Sequence, residues 1–205
     1  MSKGSGRPVF EVLVVFVLVF TVQIITDLAN IVGGLFVLSA PLVENPWTIV
    51  TSVYAHSGIT HLTSNAVALV LFGWPVARAT TRVRFHSFFL LTGAFAGVSQ
   101  VLLREVLVDA PGIEATSVSV LGASGAVFAL LGYLLASNRL SSGLGALVSV
   151  PRWVVYATFL VVAVILTLAT AQPGVALIAH FTGLLVGLLA GRLNALDPTS
   201  SRRGR

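Results

Sequence analysis

Val120-Leu121-Gly122-Ala123-Ser124-Gly125-Ala126-Val127-Phe128-Ala129-Leu130-Leu131-Gly132-Tyr133-Leu134-Leu135-Ala136-Ser137 contains no charged side chain and places one serine among small residues near its start. A helix rising about 1.5 Å per residue needs roughly 20 apolar residues to cross hydrocarbon, so a stretch of this kind reads as a membrane span. Five more runs have the same character: Val9 to Leu28, His61 to Ala79, Phe85 to Val106, Trp153 to Ala171 and Val175 to Leu193. Together they predict an all-α membrane protein with six transmembrane helices. The first run follows Lys3 and Arg7 as a signal anchor would, but no small-residue cleavage site and polar mature region follow it, and it is read as a retained span.

Composition agrees, since 56% of the 205 residues are hydrophobic and only 9% are charged. That far exceeds what the core of a soluble domain requires. The formal charge of +5 does not point to nucleic acid, because the bases crowd the ends and two short connectors of an apolar chain. Lys3, Arg7, Arg78, Arg82, Arg84, Arg139, Arg152, Arg192, Arg202, Arg203 and Arg205 all fall on one side of a six-span bundle, which the positive-inside rule makes cytoplasmic. Arg104 lies near the other face. Asp27, Glu44, Glu105, Asp109 and Glu114 flank outer ends or outer loops, leaving Glu11 and Asp197 toward the cytoplasm. Both termini are therefore expected inside. A single domain is expected over residues 1–197, with a short basic cytoplasmic tail at 198–205. The absence of cysteine removes disulfides, thiolate nucleophiles and Cys-based metal sites.

The connector from Ala29 to Thr60 is long yet rich in apolar residues, with breaks at Gly33-Gly34, Pro41 and Pro46. Too interrupted to span, it is expected to lie in or dip into the interface with its backbone groups buried against protein.

Polar chemistry gathers at the outer ends of the even-numbered spans. His56 precedes span two, His61 and Asn65 share a face at its start, and Ser124 and His180 each fall about one turn into spans four and six. All five lie within roughly 5–10 Å of the outer boundary by helix rise. Each has an ordinary explanation when taken singly. Serine can bond the carbonyl four residues back, histidine and asparagine can hold helices together, and glycines serve close packing. Taken together, the pair Ser124 and His180 suggests a nucleophile and its base. Gly183, Gly187 and Gly191 form a small-residue ridge that would permit the approach of about 3 Å this requires. His56, Asn65 and backbone N–H groups at the Gly122 end of the helix would stabilise a developing oxyanion. No carboxylate lies at this depth within the spans, favouring a dyad over a triad. His86, among basic residues on the other side, is given no chemical role.

The chain resembles the rhomboid intramembrane serine proteases in Gly122-Ala123-Ser124-Gly125 with Gly132, in His56-x4-His61-x3-Asn65, and in Ala179-His180-x2-Gly183-x3-Gly187. The resemblance runs from about Trp47 to Gly191. It implies a six-helix rhomboid core with a partly membrane-embedded first outer loop, a Ser124/His180 dyad, an oxyanion site involving His56 and Asn65, and no cofactor or metal. It also implies transmembrane protein substrates entering sideways from the lipid bilayer. Phe128 stands where many family members stack a tyrosine on the catalytic histidine. Trp47-Thr48 stands where a Trp-Arg pair is common, and no acidic residue is evident near Ala77. Gly122 is grouped with His56 and Asn65 at the oxyanion site, and His61, Phe128 and Gly183 are expected to support it. Three other readings stay open: a catalytically silent rhomboid-like protein that binds membrane clients, a small transporter, and haem or metal binding by His56, His61 and His180. A compact chain without an appended domain suggests a prokaryotic plasma membrane, with organelle membranes as the alternative. Substrates and oligomeric state are not legible.

Overall fold

The computed structural model describes residues 5–108, 119–137, 151–171 and 175–198. The expected charges Lys3, Asp109, Glu114, Arg139, Arg202, Arg203 and Arg205, and the tail beyond Pro198, lie outside the described residues.

All six apolar runs are helical, and several edges differ from expectation. Helix α1 (Arg7–Asp27), the combined stretch Ile59–Ala79 and α6 (Arg82–Val108, apolar through Val106) have the length and composition to cross a membrane. Three shorter apolar helices complete the set: α7 (Ser124–Ser137), α8 (Arg152–Ala169) and α9 (Leu177–Arg192). Helix α1 buries Val9, Val12, Phe16 and Gln23, spaced to form one face, while Phe10, Val17, Leu18, Ile24 and Ile25 are exposed. Exposed apolar surface on this scale is foreign to soluble monomers and matches a lipid-facing wall. The protein is an integral membrane protein of the mostly helical class.

The second run is not uniformly α-helical. It comprises α4 (Ile59–Ala68), a π-helical turn at Leu69–Gly73, and α5 (Trp74–Ala79). Pro75 supplies the reason, because it lacks an N–H for the preceding turn and its ring crowds the carbonyl four residues back. The widened turn absorbs that misfit.

The connector from Ala29 to Thr60 is folded. It contains the short helices α2 (Val32–Phe36) and α3 (Thr48–Thr51), with the two-residue strand β1 (Leu38–Ser39) between them. Its polar groups are satisfied internally: the Trp47 indole N–H donates to the Gly34 carbonyl (2.8 Å) and the Thr51 hydroxyl to that of Leu35 (2.6 Å). Leu28, Val43, Trp47 and Val50 remain exposed, leaving an apolar outer skin. β1 pairs antiparallel with β2 (Ser119–Val120), Leu38 opposite Val120 and Ser39 opposite Ser119, and so ties this connector to the segment that enters α7. That pairing was not expected from the sequence.

The main core joins α1, the Ile59–Ala79 stretch, α6 and α7 around Phe16, Leu69, Phe85, Phe89 and Leu130. Helix α8 sits apart on α9 through a smaller cluster of Ala163, Leu184 and Leu188. Between α7 and α9 the backbones touch. A Cβ at Gly183 would overlap the Gly125 carbonyl, one at Gly187 the Ala129 carbonyl, and one at Gly132 the Leu184 carbonyl. Because the obstructing atoms are backbone, Gly187→Ala can be accommodated only by separating the helices. The expected loss is about 1–3 kcal/mol, read as a lower midpoint of unfolding in detergent. Gly33→Ala, with nothing within 4 Å of its added methyl, should leave the midpoint in place.

Candidate active site

Ser124 is the first residue of α7, not one turn inside it as expected. Gly122 has φ +134°, and the β2 pairing just before it keeps the chain extended, so the helix cannot start earlier. The Ala123 carbonyl accepts from Val127 N–H (3.0 Å) and thereby opens the helix. N–H groups of the first turn, beginning with that of Ser124 itself, have no intrahelical acceptor, and the helix dipole favours negative charge beside them. Gly122 is a different case. Its N–H donates to the Ser52 carbonyl (2.8 Å) and is not a free oxyanion donor. Its missing side chain matters instead, since a Cβ there would lie 2.7 Å from the His61 ring.

His180 lies in the first turn of α9 and is buried. Its ring stacks on Phe128 at 4.3 Å between centroids and 16° between planes. Phe128 is four residues after Ser124 and so occupies the same face of α7 one turn on. The glycine contact between Gly125 and Gly183 clamps the two helices one residue beyond Ser124 and three beyond His180. The imidazole is therefore held against α7 at Phe128, one turn along the helix from Ser124. Its Nδ1 lies 3.0 Å from the Thr170 hydroxyl at the end of α8.

His56 is almost fully buried, at 2% exposure; no well-formed hydrogen bond reaches either ring nitrogen among the described residues, although the Tyr54 backbone interacts with the ring. It packs edge-on against Phe16 (4.7 Å) and His61 (5.2 Å). Buried nitrogens without a well-formed hydrogen bond are costly, and they suit a residue whose strong partner arrives with a ligand. Asn65 is also buried; its amide donates to the His61 carbonyl (3.1 Å), which leaves one N–H and the oxygen of its side chain for other contacts. His61 accepts from or donates to the Ser57 hydroxyl at Nδ1 (3.1 Å). Contacts thus run from His56 through His61 to Gly122, and from Phe128 to His180, and Ser124 lies in sequence between Gly122 and Phe128 on the stretch that joins the two groups.

Sequence reasoning missed three residues. The Gln23 side chain accepts from His56 N–H (2.9 Å) and donates to its carbonyl (3.2 Å), gripping the peptide from α1. Gln100 on α6 accepts from Ala179 N–H (3.1 Å), satisfying an orphan donor of the α9 first turn beside His180. Thr170 is the third. Each is a lone polar residue in or at the end of an apolar run, a signal that was present but unused. His86, on the opposite side of the molecule, meets the Glu11 carboxylate (2.6 Å), which Arg82 also contacts (2.9 Å), and this cluster joins α1 to α6.

A helical membrane fold with a serine at the start of one helix and a buried histidine in the first turn of the helix packed against it narrows the class, and sequence comparison identifies it. The family model for the Rhomboid domain matches residues 43–195, and the chain belongs to the rhomboid family. Among curated proteins it is similar to RHOMBOID-like protein 4 of Arabidopsis thaliana, 29% identical over 175 residues, covering 81% of this chain and 38% of that protein. RHOMBOID-like protein 6, mitochondrial, from the same plant is 27% identical over 161 residues, covering 75% of this chain and 45% of the relative. RHOMBOID-like protein 5 is 28% identical over 159 residues, with 74% and 45% covered. The chain spans less than half the length of these relatives.

Proposed function

We propose that this protein is an intramembrane serine endopeptidase that cleaves transmembrane protein substrates near the outer membrane face. His180 Nε2 takes the Ser124 hydroxyl proton as Oγ attacks the scissile carbonyl, and the imidazolium then gives that proton to the leaving amine. Water, deprotonated by the same ring, hydrolyses the resulting ester and frees Ser124. The oxyanion formed in each half-reaction would lie against the N–H groups at the start of α7, with His56 and Asn65 as side-chain donors. A deep His56 with no well-formed hydrogen bond is intelligible on this reading, because a ring nitrogen gains a strong partner as charge develops.

The observation that carries the proposal is the stack of His180 on Phe128, beside the glycine contacts between α7 and α9, one helical turn from Ser124 on the same face of α7. The Arg and Lys distribution supports an orientation with both termini cytoplasmic and the serine toward the outside. On the same reading, residues 1–197 form the membrane domain, and residues 198–205 its basic tail.

The test is incubation of the purified protein, in detergent, with a fluorophosphonate serine probe and a transmembrane substrate, followed by mapping of the adduct. Capture at Ser124 together with substrate cleavage is the expected outcome. Binding of the substrate with neither adduct nor cleavage would favour a client-binding rhomboid over an enzyme.

A further inference from the structure

The Thr170 hydroxyl holds one proton and faces two partners, the Thr167 carbonyl at 2.8 Å and His180 Nδ1 at 3.0 Å. A carbonyl only accepts, so one assignment alone satisfies both contacts: the hydroxyl donates to Thr167 and accepts from a protonated Nδ1. With the proton turned toward His180 instead, Thr170 Oγ1 and the Thr167 oxygen would oppose lone pairs at 2.8 Å. A neutral ring that is protonated at Nδ1 carries its free lone pair on Nε2.

We infer that Thr170 is a positioning residue that fixes the His180 tautomer and ring angle, in the place where a carboxylate stands in a triad. This rests on the reading of His180 as the base for Ser124. Thr170 does not touch the reacting atoms, and it remains a hydrogen-bond acceptor for the imidazolium that forms during attack. The hydroxyl is neutral, so its support is weaker than that of a buried aspartate, whose replacement by asparagine lowers turnover about 10⁴-fold in the chymotrypsin-type triad. Thr170 also closes α8, a helix otherwise attached through a small cluster on α9. The ring is thereby pinned from two sides, by Phe128 of α7 and by the end of α8.

Thr170→Val keeps the β-branched shape and deletes the hydroxyl, whereas Thr170→Ser restores it. Full-length protein in detergent should show kcat reduced about 10- to 100-fold in Thr170→Val, the range for losing one hydrogen bond to a group that becomes charged. KM should stay within about twofold of the parent, and Thr170→Ser should recover most of the turnover. The second readout is independent of activity. Nitrogen-15 NMR of labelled histidine should find His180 protonated at Nδ1 in the parent and in Thr170→Ser, and mixed between tautomers in Thr170→Val. Normal turnover in Thr170→Val, equal loss in both variants, or an Nε2-protonated ring in the parent would overturn the inference. If the parent itself cleaves nothing, the protease reading falls, and the tautomer comparison still decides what Thr170 does to the ring.

Discussion

Ser124→Ala should abolish substrate cleavage and probe labelling while leaving the unfolding midpoint close to that of the parent. The substitution removes one oxygen from a residue whose neighbours do the packing: Ala123 is fully buried and opens the helix through its carbonyl, and Gly125 lies against Gly183 and Ala96. No helix cap is lost, since position 124 follows the cap instead of occupying it, and alanine is the best helix former. The chemical loss should be total on any practical scale. Removing the serine of a serine-histidine hydrolase costs on the order of 10⁶ in kcat in the best-studied case, and the remaining oxyanion donors retain only weak catalysis. Cleavage measured by gel mobility of a tagged transmembrane substrate should therefore vanish. Cleavage at parental rate would transfer the nucleophile to another group, and a collapsed midpoint would show that Ser124 is structural.

The local signals in the chain proved readable because they depend on near neighbours. Apolar length marks the helices, and the glycines at 125, 132, 183 and 187 mark where two of them close to backbone contact. What escaped depends on groups far apart in sequence. Gln23 meets His56 across 33 positions and Gln100 meets Ala179 across 79; neither partner can be named before the helices are placed. The pairing of Leu38 with Val120 is too short to have a period, yet it helps set where α7 begins. Ser124 was consequently placed a turn too deep. Adjacency to the serine suggests Gly122 as an oxyanion donor, but its N–H is taken by the Ser52 carbonyl, and its missing side chain leaves room for His61. Thr170 was invisible for a further reason. A search for a carboxylate partner to the histidine overlooks a hydroxyl that can do part of the same work.

His180→Ala should lower kcat by about 10²–10⁴-fold, the usual range for loss of a general base, with KM little changed. The residual rate should lie at or above that of Ser124→Ala, because the hydroxyl and the oxyanion donors survive although nucleophile and base act as a unit. Stability will not be untouched. The Phe128 stack, worth roughly 0.5–1.5 kcal/mol beyond area burial, disappears, and Thr170 loses one of its two partners. A modest fall in the unfolding midpoint is therefore expected, and it must be separated from the catalytic effect. Phe128→Leu provides the control, since it removes the stacked ring and keeps the base; its turnover should fall far less than that of His180→Ala at a comparable midpoint. The rate of fluorophosphonate labelling at Ser124 should track kcat through both variants, because the probe also requires an activated oxygen. Parental labelling and cleavage in His180→Ala would mean that Ser124 is activated by something other than this imidazole, leaving the serine as nucleophile but removing the reason for the α7–α9 clamp to carry chemistry.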